Sequence, residues 1–144
     1  MTVKPIPDGY QTITPYLIVD GAAQLIDFLV QAFDAQPLGR MQDAEGRIMH
    51  TEVIIGDSKV MISDSNESNP PTRAMLHMYL GETDRFYERA LAAGATSLRE
   101  PVDEFYGDRT AGVRDAFGNL WWMATHVEDV PPEEMQRRSA SLQS

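Results

Sequence analysis

Imidazole and carboxylate side chains on predicted strands are the groups in this sequence with the most capacity for chemistry. His50 and Glu52 alternate along one stretch of mostly apolar residues, so they share a strand face. With His77 on a later strand they make an acceptable ligand set for a labile divalent metal. The alternatives are structural: His77 is a polar residue hydrogen-bonded by Tyr79 or Tyr106, and His50 is an exposed strand residue.

Several other kinds of chemistry are excluded by residue type. The chain has no cysteine, which removes disulfides, thiolate metal sites and cysteine nucleophiles and fits a reducing compartment. It contains no glycine-rich phosphate loop, no serine-nucleophile motif and no His-Glu-x-x-His helix. A net charge of −10, from 22 acidic against 12 basic residues, argues against a nucleic-acid partner. The acidity fits either solubility or an acidic groove for a cationic ligand.

The apolar residues are distributed as in a globular protein. They make up 42% of the 144 residues, against 24% charged residues, which is ordinary globular usage. No apolar run approaches the ~20 residues of a membrane span, and residues 1–9 lack the apolar core of a signal peptide. We therefore predict a cytoplasmic protein with no membrane partner.

The first half of the chain predicts one helix among four strands. Asp20 is a good N-cap, and apolar residues recur at helical spacing from Ala22 to about Asp34, which tolerates the left-handed backbone of a helix end. Alternation in the third predicted strand puts Met49 on the same face as Thr51. The predicted strands are residues 12–19, 36–42, 47–55 and 58–63.

The second half repeats this order after a polar, proline-containing linker at residues 64–72. Thr83 or Asp84 is predicted to cap a helix over residues 85–93, which Gly94 stops. Gly118-Asn119 lies between two alternating runs and predicts a tight hairpin turn, because both residues tolerate positive φ. The predicted strands are residues 74–80, 96–102, 109–115 and 120–125, and a short polar helix follows at 133–139.

The order β-α-β-β-β therefore occurs twice. Gly56 and the residues after it resemble Gly118 and the residues after it, at an offset of 62. One such module would have too small a hydrophobic core to be stable alone. We predict a single α+β domain over residues 1–144. In it, paired βαβββ modules at 12–63 and 74–126 form curved mixed sheets around a cleft, and a tail follows at 127–144.

Two segments carry a family resemblance. They are Phe105-Tyr106-Gly107-Asp108-Arg109 and Asp115-Ala116-Phe117-Gly118-Asn119-Leu120-Trp121. With the opening strand they make the chain similar to the vicinal oxygen chelate superfamily, which holds glyoxalase I, fosfomycin and bleomycin resistance proteins and extradiol dioxygenases. The chain is most similar to the PhnB-like branch, and the resemblance covers nearly all of it. It implies paired βαβββ modules and a homodimer.

The resemblance also implies where a catalytic metal would bind. Metal-dependent members take a His or Gln from the first strand of a module and a Glu from the last. Matching by strand and turn puts these positions at Thr14 and Val60 in the first module and at His77 and Trp122 in the second. Only His77 is a common metal ligand, so we expect no catalytic metal. If a divalent metal does bind, its expected ligands are His77, His50 and Glu52.

The segment at residues 105–109 is predicted to be a mobile loop at the cleft mouth. Tyr106 would act as a lid and Arg109 would meet an anionic group of the ligand, since loops on rigid scaffolds often carry function. The structural alternative is that Asp108 and Arg109 pair with each other, or with Arg114 and Asp115. If the resemblance holds, Trp122 faces the cleft and Trp121 packs toward a helix.

These patterns predict a protein that binds a small organic molecule in a mainly apolar and aromatic cleft. One alternative is a metal-dependent lyase, isomerase or dioxygenase of glyoxalase type. Another is a scaffold whose cleft is filled by side chains. The expected ligand-binding residues are Thr14, Tyr16, His50, Glu52, Val60, Ile62, His77, Tyr79, Tyr106, Arg109 and Trp122.

Overall fold

A computed structural model of the chain describes residues 2–142. The chain divides into two compact units, Met1–Arg73 and Ala74–Ser144. The border follows the predicted polar linker, and the second unit begins where the second module was predicted to begin. Each unit has its own mixed sheet with a helix packed on one face.

The elements follow the predicted order, but several differ in extent. The first strand begins at Tyr16 rather than at residue 12. The strand predicted at 36–42 is two short strands, the second helix begins two residues earlier than predicted, and the last helix is longer at both ends. The first unit contains β1 Tyr16–Val19, α1 Ala22–Phe33, β2 Gln36–Pro37, β3 Met41–Gln42, β4 Ile48–Ile55 and β5 Ser58–Asp64. The second contains β6 Met75–Tyr79, α2 Thr83–Ala92, β7 Thr96–Asp103, β8 Asp108–Arg114, β9 Leu120–His126 and α3 Pro132–Leu142. The predicted α+β class with curved mixed sheets is confirmed.

The first sheet has the strand order β1-β5-β4-β2, with β3 also paired to β4. β1 runs parallel to β5, and the other pairs are antiparallel. Leu17, Val53 and Ile62 lie on the face that α1 covers, and each is at most 1% exposed. Burying each of these side chains contributes roughly 1.5–3 kcal/mol to the stability of the unit.

A β-bulge changes the direction of one predicted side chain in this sheet. Met41 pairs with His50 but Gln42 pairs with Ile48, so Met49 is an extra residue on its strand. Beyond a bulge the alternation of faces reverses. Ile48 is therefore buried and Met49 is 57% exposed, and the prediction that Met49 shares a face with Thr51 is wrong.

The second sheet has the order β6-β9-β8-β7, and β6 runs parallel to β9. Trp121, Met123 and Val113 are at most 1% exposed on the face that α2 covers. Tyr87 and Ala90 of that helix are also buried. The prediction that Trp121 packs toward a helix agrees with this burial. The other face of the sheet carries Trp122 and its neighbours.

Asp115 builds the hairpin turn that joins β8 to β9. Its Oδ1 accepts hydrogen bonds from the backbone N–H of Phe117 at 2.8 Å and of Asn119 at 3.0 Å. Its Oδ2 accepts from the indole Nε1–H of Trp121 at 2.9 Å. Gly118 has φ of +88°, as the turn prediction required. One buried carboxylate thus satisfies the turn and anchors the core tryptophan.

The first helix begins in a way that local sequence did not indicate. Its N-cap is Gly21 rather than the predicted Asp20. The Oδ1 of Asp64, at the end of β5, accepts from the backbone N–H of Gly21 at 3.1 Å and of Ala22 at 2.8 Å. The cap is therefore supplied by a strand 43 residues away in the chain. The predicted end at Asp34 is confirmed, with φ of +56°.

Among residues 2–142 the structure contains no helix that is both long enough and apolar enough to cross a membrane.

Candidate functional site

The start of each helix, together with strand pairing, shows which residues of the two units are equivalent. The N–H of Ala22 donates to Asp64 and the N–H of Thr83 donates to Thr125, and both residues of the second pair lie 61 positions after those of the first. Tyr16 of β1 pairs with Met61 of β5, and His77 of β6 pairs with Trp122 of β9. Both equivalences are offset by 61 positions, not by the 62 predicted from the turn glycines. Tyr16, rather than Thr14, is therefore the counterpart of His77.

The assignment of Val60 was wrong because it was counted from the glycine of each turn. Met61 lies nine residues after its β4 partner Glu52, whereas Trp122 lies ten residues after its β8 partner Gly112. The second turn is thus one residue longer, and the two glycines do not occupy equivalent places. Met61, rather than Val60, is the counterpart of Trp122.

Two predicted ligand-binding residues of the first unit lie in its core. Val60 is 5% exposed and Ile62 is fully buried, on the face that α1 covers. The register that pairs Met61 with Tyr16 places Val60 and Ile62 on the opposite side of the sheet from Tyr16. The two side chains were predicted to line the ligand site, but they face the core. Counting from Gly56 had shifted the alternation of side chains by one residue.

Trp122 lies on the open face of the second sheet, the face opposite α2. It pairs with Gly112, and a Cβ placed on Gly112 would lie 2.6–2.9 Å from three atoms of the six-membered indole ring. Only glycine allows the ring to lie this close to the backbone. Trp122 remains half-buried, so a planar aromatic surface is held against the sheet and partly available to a ligand.

His77 and Tyr79 stand beside this surface on the neighbouring strand. His77 pairs directly with Trp122, and Tyr79 pairs with Ala124 two residues further along. The rings of His77 and Tyr79 meet edge to face, with centroids 5.2 Å apart. Both residues are exposed, Tyr79 at 65%. Three aromatic side chains from two adjacent strands therefore share one face, as their predicted roles require.

A buried carboxylate lies next to these rings. Asp108 is 3% exposed, and its Oδ2 accepts a hydrogen bond from the Tyr79 hydroxyl at 2.8 Å. Its Oδ1 is 2.8 Å from Nδ1 of His126, whose Nε2 is 2.7 Å from Oδ1 of Asp129. The imidazole therefore lies between two carboxylates and can donate to both when it is protonated.

These contacts set the protonation of the cluster. Hydrogen bonds to Asp108 and then to Asp129 raise the pKa of His126. Burial alone would raise the pKa of Asp108, but the hydrogen bonds from His126 and Tyr79 outweigh it, and that pKa lies below its usual range. The hydrogen bond to Asp108 raises the pKa of Tyr79. Tyr79 is thus a neutral phenol that donates to Asp108 and keeps its oxygen lone pairs available to a ligand.

The loop that carries Tyr106 is tied down by backbone contacts. The N–H of Gly107 donates to the carbonyl of Glu104 at 3.1 Å, and the N–H of Val127 donates to the carbonyl of Gly107 at 2.9 Å. From α3, Arg138 donates to the carbonyl of Phe105 at 3.1 Å. These hydrogen bonds connect the loop to the residues that follow β9 and to α3.

Arg109 does not share the face of Trp122. It alternates with Asp108 along β8, so its side chain lies on the α2 side. There its Nε and Nη2 contact the Asp84 carboxylate at 2.6 and 2.9 Å, and its Nη1 contacts Asp103 at 3.1 Å. Both the predicted placement toward the ligand and the predicted pairing with Asp108 are wrong for this residue.

The open face of the first sheet carries a second polar and aromatic group. The Tyr16 hydroxyl lies 3.1 Å from Nδ1 of His50. The Tyr10 hydroxyl donates to both carboxylate oxygens of Glu52, and Nζ of Lys59 lies 3.9 Å from the centroid of the Tyr10 ring. Thr14 precedes β1 and is half-buried.

Comparison with known proteins identifies the family. The Glyoxalase/Bleomycin resistance protein/Dioxygenase superfamily matches residues 10–123. The chain belongs to this superfamily. An uncharacterised protein from Mycobacterium bovis is 35% identical over 140 residues, covering 90% of this chain and 92% of the relative.

Solved structures agree with this membership. TioX from Micromonospora sp. ML1 is 27% identical with a TM-score of 0.70, and the match covers 82% of this chain and 100% of TioX. A PhnB protein from Bacillus cereus, described as a putative 3-demethylubiquinone-9 3-methyltransferase, is 18% identical with a TM-score of 0.60. That match covers 80% of this chain and 99% of the PhnB protein and shows the fold alone. The predicted resemblance is confirmed.

The residues at the superfamily's metal positions do not fit a metal here. With the offset of 61 positions, those positions hold Tyr16 and Met61 in the first unit and His77 and Trp122 in the second. A phenol, a thioether and an indole beside one imidazole are poor ligands for a labile divalent ion. Within residues 2–142, no group of three or more His, Asp or Glu side chains is placed to hold a metal ion.

Sequence reasoning missed the residues that organise the open face of the second sheet. Gly112 lies inside a predicted strand, where no turn requires a glycine. A glycine in such a place often indicates that another group packs closely against the backbone. Asp108 and His126 are 18 residues apart, and only the β8–β9 register brings them together. Tyr10 lies outside the predicted strands, so no pattern connected it to Glu52.

Proposed function

We propose that this superfamily member binds a small, partly aromatic organic molecule against Trp122 on the open face of the second sheet. The observation that carries the proposal is the close approach of the indole ring to the backbone of Gly112. A ring held in one orientation loses little conformational freedom when a ligand stacks on it, so more of the contact energy remains as affinity. Offset stacking of two aromatic rings contributes about 0.5–1.5 kcal/mol beyond the area it buries.

The polar groups beside Trp122 favour a ligand with a hydrogen-bond donor. The Tyr79 hydroxyl proton is directed at Asp108, so its oxygen presents lone pairs outward. His77 lies in contact with Tyr79 and is exposed. A planar molecule stacked on Trp122 with an N–H or O–H group directed at Tyr79 satisfies both features. This describes binding or sequestration without requiring a reaction.

We propose that binding needs no catalytic metal. The support is the set of side chains at the superfamily's ligand positions, of which only His77 is a suitable donor. Elemental analysis of protein purified without chelators tests this part. Stoichiometric zinc, nickel or manganese would overturn it and favour the metal-dependent lyase, isomerase or dioxygenase.

Tryptophan fluorescence titration against cationic, neutral and anionic aromatic compounds tests the binding site. We expect at least one compound to quench the wild-type protein, and Trp122→Leu to weaken its binding about tenfold, the loss of roughly 1.4 kcal/mol. Isothermal titration calorimetry measures the affinity of that variant and of the wild type, because Trp121 is buried on the face that α2 covers. Met75→Leu is the matched control, since Met75 is 67% exposed on the same face. Unchanged affinity in Trp122→Leu would contradict the proposed site.

We also propose a homodimer, as the family resemblance implies. Light scattering coupled to size-exclusion chromatography distinguishes the 16.1 kDa chain from a particle of twice that mass.

A further inference from the structure

The N-terminal segment approaches the first sheet through a single aromatic side chain. Residues 2–9 are all exposed, whereas Tyr10 is half-buried. A turn in which the N–H of Tyr10 donates to the carbonyl of Pro7 at 3.1 Å brings the segment back toward the sheet. Lys4 and Asp8 pair with each other at 2.8 Å within the segment. Tyr10 therefore joins this exposed segment to the first sheet.

The surroundings of Tyr10 match each part of a phenol. The hydroxyl donates to both oxygens of Glu52 on β4, and the ammonium of Lys59 on β5 lies over the ring face, 3.9 Å from its centroid. A carboxylate accepts the phenolic proton strongly, and a cation is attracted to the negative face of the ring. The hydrogen bond to Glu52 raises the pKa of Tyr10, which keeps the hydroxyl protonated as the donor.

The sheet, and not Tyr10, sets the positions of Glu52 and Lys59. Glu52 pairs with Met61 and Lys59 pairs with Ile54, so both side chains lie on the open face of adjacent strands. Both are half-buried. The strands fix the positions of the carboxylate and the ammonium, and only the phenol comes from a segment that is otherwise exposed.

We propose that Glu52 and Lys59 form a phenol-binding subsite on the open face of the first sheet, which the chain's own Tyr10 occupies until a phenolic ligand displaces it. The ligand class is a neutral phenol with a substituent opposite the hydroxyl, because that is the shape of the tyrosine side chain. This subsite belongs to the first unit and does not depend on the stacking site at Trp122.

The occupancy by Tyr10 has a measurable consequence. A tethered group competes with a free ligand at an effective concentration on the order of millimolar, so it lowers the apparent affinity of the ligand. If the subsite is vacant about one tenth of the time, the apparent affinity falls about tenfold. Removing the Tyr10 ring should restore it.

The test is a nuclear magnetic resonance titration of the full chain with 4-methylphenol. We expect Tyr10→Ala to bind 4-methylphenol about tenfold more tightly than the wild type, with shifts at Glu52 and Lys59. 4-Methylanisole, which cannot donate a hydrogen bond, should not bind. Adding Glu52→Gln to Tyr10→Ala should reduce the affinity, because a neutral amide oxygen is a weaker acceptor than a carboxylate.

Three outcomes would overturn the proposal. They are equal affinities of the wild type and Tyr10→Ala, equal binding of 4-methylphenol and 4-methylanisole, and shifts confined to Trp122 and His77. The third would support the stacking site while removing the subsite, so the two proposals fail separately. A chain lacking residues 2–10 serves as a second variant, and circular dichroism confirms that each variant is folded.

Discussion

Trp122 and Gly112 are direct partners across β9 and β8, and the indole ring occupies the space that a Cβ on residue 112 would need. The contact combines two properties that usually exclude each other on a protein surface. The ring lies against the backbone of Gly112, yet it remains partly open to solvent. A preformed aromatic surface of this kind is suited to planar ligands, because it requires little ordering when they bind.

We predict that Gly112→Ala displaces the indole ring. The added Cβ would lie 2.6–2.9 Å from the ring, so the ring must rotate or the strands must separate. We expect a loss of about 1–3 kcal/mol in the free energy of unfolding and a change in the tryptophan emission maximum. Urea unfolding followed by fluorescence measures both. Gly81→Ala is the control, since a Cβ there meets nothing within 4 Å; an equal effect in both variants would contradict the prediction.

We predict that Gly107→Ala is more damaging than Gly94→Ala. Both glycines have left-handed backbones, with φ of +101° and +107°. That conformation costs an alanine about 1–2 kcal/mol. A Cβ on Gly107 would in addition overlap the carbonyl of Glu128, whereas one on Gly94 meets nothing. Thermal unfolding of the two variants separates backbone strain from the clash. Equal melting temperatures would show that residues 127–130 move aside freely.

We predict that His126 stabilises the protein in a defined pH range. Because its pKa is raised in the folded state, its contribution is complete below its unfolded value of 6.5 and is lost as the pH rises through the folded value. Because the pKa of Asp108 is lowered in the folded state, this carboxylate stabilises the protein above pH 3.8. Its contribution is lost as the pH falls through the folded pKa. The cluster should therefore stabilise most between those two values.

Urea unfolding of the wild type and His126→Gln at a series of pH values measures this effect. The difference in free energy of unfolding should be larger near pH 5 than near pH 8, because at the higher pH the imidazole loses the proton that it donates to a carboxylate. Asp129→Asn should reduce the difference without removing it, since Asp108 is the larger cause of the shift. A difference that does not change with pH would rule out this role for His126.

We predict that Arg138 holds the loop beside Tyr106. Its guanidinium donates to the Phe105 carbonyl and contacts both oxygens of Glu128 at 2.9 Å. Arg138→Ala should speed hydrogen exchange at the amides of Gly107 and Val127. The first amide donates to the carbonyl of Glu104, and the second donates to the carbonyl of Gly107. Arg137→Ala is the matched control, because Arg137 pairs with Glu134 on the same helix. Equal exchange in the two variants would show that the loop does not depend on the helix.

We predict that Asp64 stabilises α1 and that Asp20 does not. Asp64 accepts from the first amides of the helix, and its other oxygen accepts from the Ile48 N–H at 2.8 Å. Replacing a helix cap with alanine costs about 0.5–2 kcal/mol. Asp64→Ala should therefore lower the free energy of unfolding by at least that much, while Asp20→Ala should change it little. Denaturant unfolding of both variants decides which aspartate caps the helix.

The parts of the fold that depend on local chemistry could be predicted from the sequence. The apolar spacing of α1, the left-handed end at Asp34 and the turn at Gly118 each follow from neighbouring residues. The repeated order of elements then indicated two modules. These predictions held because no distant residue was needed to make them.

The parts that failed depend on residues far apart in the chain. The bulge at Met49 is defined by its partners Met41 and Gln42, and without it the alternation was extended too far. The cap of α1 comes from Asp64, and the contacts of Arg109 come from Asp84 and Asp103. Alternation shows which side chains share a face of a strand. It does not show which of the two faces a helix covers. That depends on register, which a single sequence does not contain.

The one-residue difference between the two hairpins bears on how the chain arose. Tyr16 and His77 are 61 positions apart, as are Met61 and Trp122, but Glu52 and Gly112 are only 60 apart. If both halves descend from one duplicated ancestor, a deletion before β8 was offset by an insertion in the following turn. Two such changes cancel, so the overall length stays the same. An alignment of the two halves without gaps would therefore hide both changes. It would also align every residue of β8 with the wrong residue of β4.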